Sequence, residues 1–216
     1  MSDTAAPPWK RLREKASRLR WSLAADLFDV FVREVRPEDA RFEAPAGYAF
    51  RYGEAEDVLA CEEHHTELDP RDREHGALRL GAGHRVVLGQ HEGLTVFSMW
   101  VNPRHLNVPG HLKRKLNETQ AFIYKAYTSP DHRGRKLYQA GMAFVLADLA
   151  ARGQRELVGY AHVKKQASRA GLARLNFSSA GTYRAIGLRP NERIFPSRTL
   201  NKRFPERVPR SGVGWE

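Results

Sequence analysis

Residues 121–149 leave little choice of fold. Ala121-Phe-Ile-Tyr-Lys-Ala-Tyr-Thr128 is an apolar, aromatic-rich run that reads as a strand. Pro130 stops it, since proline has no N–H to give to a ladder. A helix then starts near Arg133, with Tyr138, Met142, Val145 and Leu149 at i, i+4, i+7 and i+11 on one apolar stripe, and Gly153 closes it. A strand feeding such a helix through a tight turn belongs to a mixed α/β domain.

The other elements agree with that class. Leu27 to Val35 alternates in favour of a strand, with helix left open; Pro37 to Gly47 is a linker, and Tyr48 to Tyr52 is a strand. Glu54 to His65 has helical spacing and an acidic first turn, and 70–80 reads as a weaker helix. Arg85–Leu88 and Leu94–Val101 read as a hairpin around a five-residue Gly-Gln-His-Glu-Gly loop. Residues 102–119, with two prolines and the basic Lys113-Arg-Lys115, receive no assignment. Leu157–Val163 is a strand, 177–186 a helix closed by Gly187, and 192–204 one or two last strands. Residues 1–8 are expected to fray, and 9–22 form a short basic helix. The expected division is an N-terminal extension over 1–45, packed against a domain over 46–216.

A net charge of +11 favours anionic partners and says nothing about fold. The single cysteine, Cys61, excludes an internal disulfide and points to a reducing compartment, where it reads as a small buried filler. Asp26 and Asp29 interrupt the apolar run after Trp21, which is far short of the roughly 20 residues of a membrane span. A cytoplasmic protein with no membrane partner is the expectation.

The joint between strand and helix carries the chemistry. A helix start presents unpaired N–H groups and the positive end of a dipole, which suits a diphosphate. Arg133-Gly-Arg-Lys-Leu-Tyr138 stands there, and Asn176-x-x-Ser179-x-x-x-Tyr183-x-x-x-Gly187-Leu188 follows. Together these resemble the GNAT superfamily of N-acyltransferases over residues 48–190. The first segment stands in place of the family's (Gln/Arg)-x-x-Gly-x-(Gly/Ala) turn. The second stands in place of Asn-x-x-(Ala/Ser)-x-x-x-Tyr-x-x-x-Gly-Phe after the fifth strand. Lys136 and Tyr138 depart from the small residues usual in the first, and Leu188 from the aromatic of the second.

The resemblance implies an α/β (α+β) domain with a mixed, mostly antiparallel central sheet, splayed in the middle, and helices on both faces. It implies N-acetyl transfer from acetyl-CoA to a primary amine by direct attack in a ternary complex. Arg133, Gly134, Arg135, Lys136, Leu137 and Tyr138 would hold the pyrophosphate. Backbone groups of Ala126 and Thr128, with Asn176 and Ser179, would hold the pantetheine arm. Tyr183 would protonate the leaving thiolate; for the amine's proton it is the strand pattern rather than the resemblance that offers a residue, His162, on the same face as Val158 and Tyr160. Glu63, His64 and Glu67, with neighbouring His65, would meet the acceptor, a small-molecule or protein amine. The Glu-Glu-His-His cluster lacks a second ligand pair at zinc-like spacing, so no metal is expected.

Two other readings stand beside this one. One is a non-catalytic binder of coenzyme A or another ligand on the same fold, favoured by Tyr138 and by the lack of an acidic residue in 121–128. The other is a nucleic-acid-binding module, which rests on charge alone, with basic residues scattered and no binding motif among them. Assembly as a homodimer is left open.

Overall fold

The computed structural model of the chain describes residues 23–60, 70–108, 112–188 and 193–208. β1 (Leu23–Glu34) lies inside the main sheet, antiparallel to β8 (Glu156–His162) on one side and to β9 (Ser178–Leu188) on the other. Its Leu-Phe-Asp-Val-Phe-Val alternation therefore meets a core on each face: Val30 and Val32 point one way, Phe31 the other. From the far edge the sheet continues with β10 (Arg193–Pro196), then β9, β1, β8, β7 (Gln120–Thr128), β4 (Leu94–Asn102), β3 (Arg85–His91) and β2 (Ala49–Gly53). Among these neighbours only β7 and β8 are parallel. The sheet is thus mixed and mostly antiparallel, with helices on its faces.

One face carries α3 (Leu137–Ala151) and α4 (Gln166–Arg174). The stripe read from the sequence is the buried side of α3: Met142, Val145 and Leu149 pack with Phe97, Met99, Ile123 and Leu157 of the sheet and with Leu172 of α4. Each such side chain contributes roughly 1.5–3 kcal/mol by leaving water. A Cβ on Gly141 would stand 2.3 Å from Phe97 Cε1, so glycine is what lets α3 lie flat on β4. The other face buries Trp100, Phe122, Tyr124, Val158 and Tyr183. It is covered by a hairpin of β5 (His105–Val108) and β6 (Leu112–Lys115), by α1 (Ala55–Ala60) and by α5 (Arg198–Arg203).

Several expectations need correcting. Residues 177–186 form no helix. Phe28 pairs with Tyr183 and Val30 with Gly181 along the β1–β9 ladder, and Gly181 and Gly187 take φ values of 128° and 138°. The helix comes earlier, as α4, where Ser168, Arg169 and Gly171 interrupt the apolar pattern. The β3–β4 loop is two residues rather than five, because Glu92 and Gly93 both adopt positive φ (50° and 82°) and make the tight turn that suits a twisted hairpin. The 37–47 linker opens with a 3₁₀ turn at Pro37–Ala40. Residues 192–204 give one strand and one helix, α5, capped by Ser197, whose Oγ accepts from Leu200 N–H at 3.3 Å. α2 (Pro70–Gly81) matches its expected span, and the described part of the 54–65 helix is α1. The basic 9–22 segment, Cys61, Glu63, His64, His65 and Glu67 lie outside the described residues.

Candidate functional site

β7 and β8 part company. Their ladder consists of Gln120↔Glu156, Ala121↔Leu157 and Phe122↔Val158, and beyond it the strands diverge. The root of the fork is tied by side chains and backbone. Gln120 Nε2 donates to Glu156 Oε2 at 2.6 Å, and the N–H groups of Arg155 and Glu156 both donate to Thr119 O at 2.8 and 3.1 Å. On its outer edge β7 bulges against β4, where Lys125 takes φ 48°.

A cleft of about 1090 Å³ opens along the gap. Ala126 and Thr128 line it from β7, Tyr160 and His162 from β8, Leu137 and Tyr138 from α3, and Ser168 and Leu172 from α4. Past the fork the β7–β8 ladder has no further pairs among the described residues, and the two strands flank the cleft.

The turn above the cleft is built from unusual backbone. A 3₁₀ turn, Pro130–His132, follows β7; Arg133 is extended and its Nε donates to Thr128 O at 3.2 Å. Gly134 has φ 79° with open space where a Cβ would be. Lys136, the residue before α3, has φ 61°, a left-handed conformation that costs a non-glycine residue on the order of 1–2 kcal/mol. Its side chain does not cap α3, whose first backbone bond runs from Ala140 N–H to Lys136 O at 3.0 Å.

The first-turn N–H groups at Leu137, Tyr138 and Gln139 therefore have no capping side chain, and all three residues line the cleft. Arg133, Gly134 and Lys136 line it too, exposed; Arg135 is exposed outside it. Uncapped amides, a helix dipole and two cations form a donor set that suits a diphosphate. Tyr138 does not point away from the site. Its half-buried ring lies against α4, where a Cβ on Gly171 would be 3.5 Å from Cε1, and burial raises its phenol's pKa.

The second motif is displaced. Asn176 is exposed with φ 60° in the turn before β9, Ser179 is exposed on β9, and Tyr183 is fully buried in the sheet, stacked on Phe28 at 4.9 Å. None of the three lines the cleft. Burial raises the Tyr183 phenol well above its ordinary value.

The helix after β8 is α4, and it ends just before Asn176-Phe177. Asn176 supplies the left-handed residue where the pattern has Gly, and Phe177 the aromatic that follows it. In that register the Asn, Ala/Ser and Tyr places fall on Lys165, Ser168 and Leu172, all three at the cleft. An Asn-Phe standing in for Gly-Phe was the available signal, since asparagine is the commonest non-glycine residue at a left-handed helix end.

His162 is engaged at both ring nitrogens. Nε2 lies 3.3 Å from Asp26 Oδ1, and Nδ1 accepts the Lys164 N–H at 3.0 Å. At the fork, Tyr124 places its hydroxyl 2.6 Å from Nδ1 of buried His84. Burial, and then Arg79, bring His84 down to about 4. No local pattern marks Asp26, Tyr124 or His84, because strand pairing and an α2–β3 turn bring them in. Among the described residues, no three His, Cys, Asp or Glu side chains gather as a metal set, and no helix is long and apolar enough to cross a membrane.

No family model and no curated protein matches the chain. Solved structures do. A Drosophila protein is 17% identical with a TM-score of 0.54, over 87% of this chain and 60% of its own. A tandem GNAT protein from the clavulanic acid biosynthesis pathway is 17% identical with a TM-score of 0.50, over 82% and 57%. A glucosamine N-acetyltransferase region of a fungal multi-domain β-N-acetylglucosaminidase is 13% identical with a TM-score of 0.53, over 84% and 23%. The chain spans about 60% of the length of the first of these and less of the other two. At these identities the likeness is one of fold: the chain has the fold of the GNAT N-acetyltransferases.

Proposed function

We propose that the cleft binds an acyl-coenzyme A and that the protein transfers the acyl group, acetyl in the simplest case, to a primary amine. The observation that carries this is the uncapped start of α3 above a forked sheet, with Lys136 holding left-handed backbone at the glycine place of the diphosphate turn. The first-turn amides and the side chains of Arg133 and Lys136 hold the two phosphates. The inner edge of β7 at Ala126 and Thr128 takes the pantetheine amides as a peptide adds to a sheet edge. The thioester then lies near the root of the fork, where a β7 amide polarises its carbonyl. The fold shared with a glucosamine N-acetyltransferase region and a tandem GNAT protein supports an amine acceptor, small molecule or protein.

Acetyl-CoA binding by calorimetry and by thermal shift tests the site, since a ligand of the native state raises the midpoint by mass action. Arg133→Ala and Lys136→Ala each weaken binding about tenfold or more, the scale of one charge-assisted contact. No binding at millimolar coenzyme sinks the reading. Turnover is read as thiol release with glucosamine, spermidine and a tripeptide with a free N-terminus. A second reading, a coenzyme binder without turnover, is favoured by Leu172 at the family's tyrosine place; binding with no thiol release selects it.

A further inference from the structure

Most glycines in the strands of the main sheet have a structural reason. A Cβ on Gly53 would stand 2.6 Å from Leu88, one on Gly89 would stand 3.0 Å from both Phe50 and Phe97, and Gly181 and Gly187 take positive φ. Among the described strand glycines, Gly159 of β8 alone has neither reason. It has no positive φ, it pairs with Phe31 of β1, and a Cβ there would meet nothing nearer than 3.5 Å, the distance to Ile123 Cδ1 and to Leu172 Cδ2. A glycine that neither backbone nor packing requires weakens the interior of a strand, and its use there is the close approach of a ligand.

The space it leaves open lies at the root of the fork. Ile123 and Gly159 are the first residues beyond the last ladder pair, Phe122↔Val158, and both line the cleft with Leu172 of α4. Ile123 and Leu172 pack in one core cluster with Met99 and Ala161, which line the cleft as well. None of these residues brings a charge or a side-chain N–H or O–H, so the walls of the notch are hydrocarbon. The notch is one methyl wide, since a Cβ on Gly159 would touch both Ile123 and Leu172.

The inference rests on the coenzyme lying as proposed above. Its arm then enters from the turn before α3 and runs back along β7, past Thr128 and Ala126. Ile123 and Gly159 are reached last, by the group beyond the sulfur. We propose that the notch is an acyl-chain pocket and that the preferred coenzyme carries an unbranched alkyl chain longer than acetyl. A bare Gly159 lets that chain lie against the strand backbone, out of water, with Ile123 on one side and Leu172 on the other. Leu172, where the family pattern has tyrosine, closes the notch with methyl groups in place of a phenol. A carboxylate at the chain's end finds no partner among these walls.

Calorimetry on the full chain measures Kd for coenzyme A and for its acetyl, propionyl, butyryl and succinyl thioesters. Each methylene moved from water into the notch lowers Kd about fourfold, so butyryl-CoA binds about fifteenfold tighter than acetyl-CoA. Succinyl-CoA, with a carboxylate in place of the butyryl methyl, gains nothing over acetyl-CoA. Gly159→Ala sets a methyl in the notch at van der Waals distance from its walls, and a melting curve checks that the variant folds. Its butyryl preference over acetyl disappears. The wild-type series decides without the variant: Kd flat or rising with chain length while coenzyme A binds, or a succinyl gain equal to the butyryl one, overturns the pocket and leaves the acyl-coenzyme A reading standing. A folded Gly159→Ala that keeps the wild-type preference overturns it too, whatever it does to coenzyme affinity as a whole. If coenzyme A and all four thioesters fail to bind at millimolar concentration, the reading of the cleft falls and the pocket with it.

Discussion

His162 and Asp26 join β8 to β1 by a 3.3 Å contact between Nε2 and Oδ1, while the Lys164 N–H closes off the other ring nitrogen at 3.0 Å. A histidine bonded on both sides has its tautomer fixed and no lone pair to offer, so it organises the end of β8 rather than taking protons. His162→Gln removes the Asp26 contact at a cost of about 1 kcal/mol in stability. It leaves thiol release within threefold of wild type and its pH profile unmoved. A shifted acid limb in that variant would return His162 to the chemistry.

Tyr183 is sealed inside the sheet and stacked on Phe28 with an interplanar angle of 9°. The ring's packing is what the sheet uses, and Tyr183→Phe retains it. Turnover and coenzyme affinity are expected to stay within threefold of wild type, read by thiol release and calorimetry. A hundredfold drop in kcat at constant affinity would mean that the phenol reaches the reacting atoms after all.

Lys136 sits where the turn demands positive φ, with a Cβ that the conformation disfavours. Lys136→Gly relieves that strain while removing a cation from the cleft. Stability and affinity should therefore move in opposite directions: the unfolding free energy rises by about 1 kcal/mol, and acetyl-CoA binds more weakly. Denaturant melts of the free protein and calorimetry on the same samples check both signs.

The parts of this fold that were legible in the sequence are those whose pattern is local. Met142, Val145 and Leu149 announced the buried face of α3, and Ala121–Thr128 announced β7, because each element's own periodicity matches its burial. Arg133, Gly134 and Lys136 reached the cleft for the same reason, being carried by the joint itself. The β9 region misled. Asn176, Ser179 and Tyr183 fit a helical motif by spacing, yet Thr182 and Ile186 with two glycines belong to a strand that is specified mainly by its long pairing with β1, which no window of residues contains. Tyr124 and His84 lie forty residues apart and meet only because β3, β4 and β7 stack side by side.

Depressed histidines tie stability to pH. His84 sits near 4 in the folded chain against an ordinary 6.5, chiefly through burial, and His105 is lowered as well by burial and by Lys113. Between those two values the unfolded chain binds a proton at residue 84 that the folded chain refuses, so stability is full above pH 6.5 and falls as pH drops toward 4. The contribution of His84 to that loss is about 3 kcal/mol by the size of the displacement. His84→Gln has nothing to protonate there, and its stability curve should be flatter over the same range, with the remaining slope owed in part to His105. Denaturant melts of both proteins at intervals from pH 7.5 to about 4 decide the matter. Parallel curves would mean that His84 binds its proton in the fold as readily as in the unfolded chain.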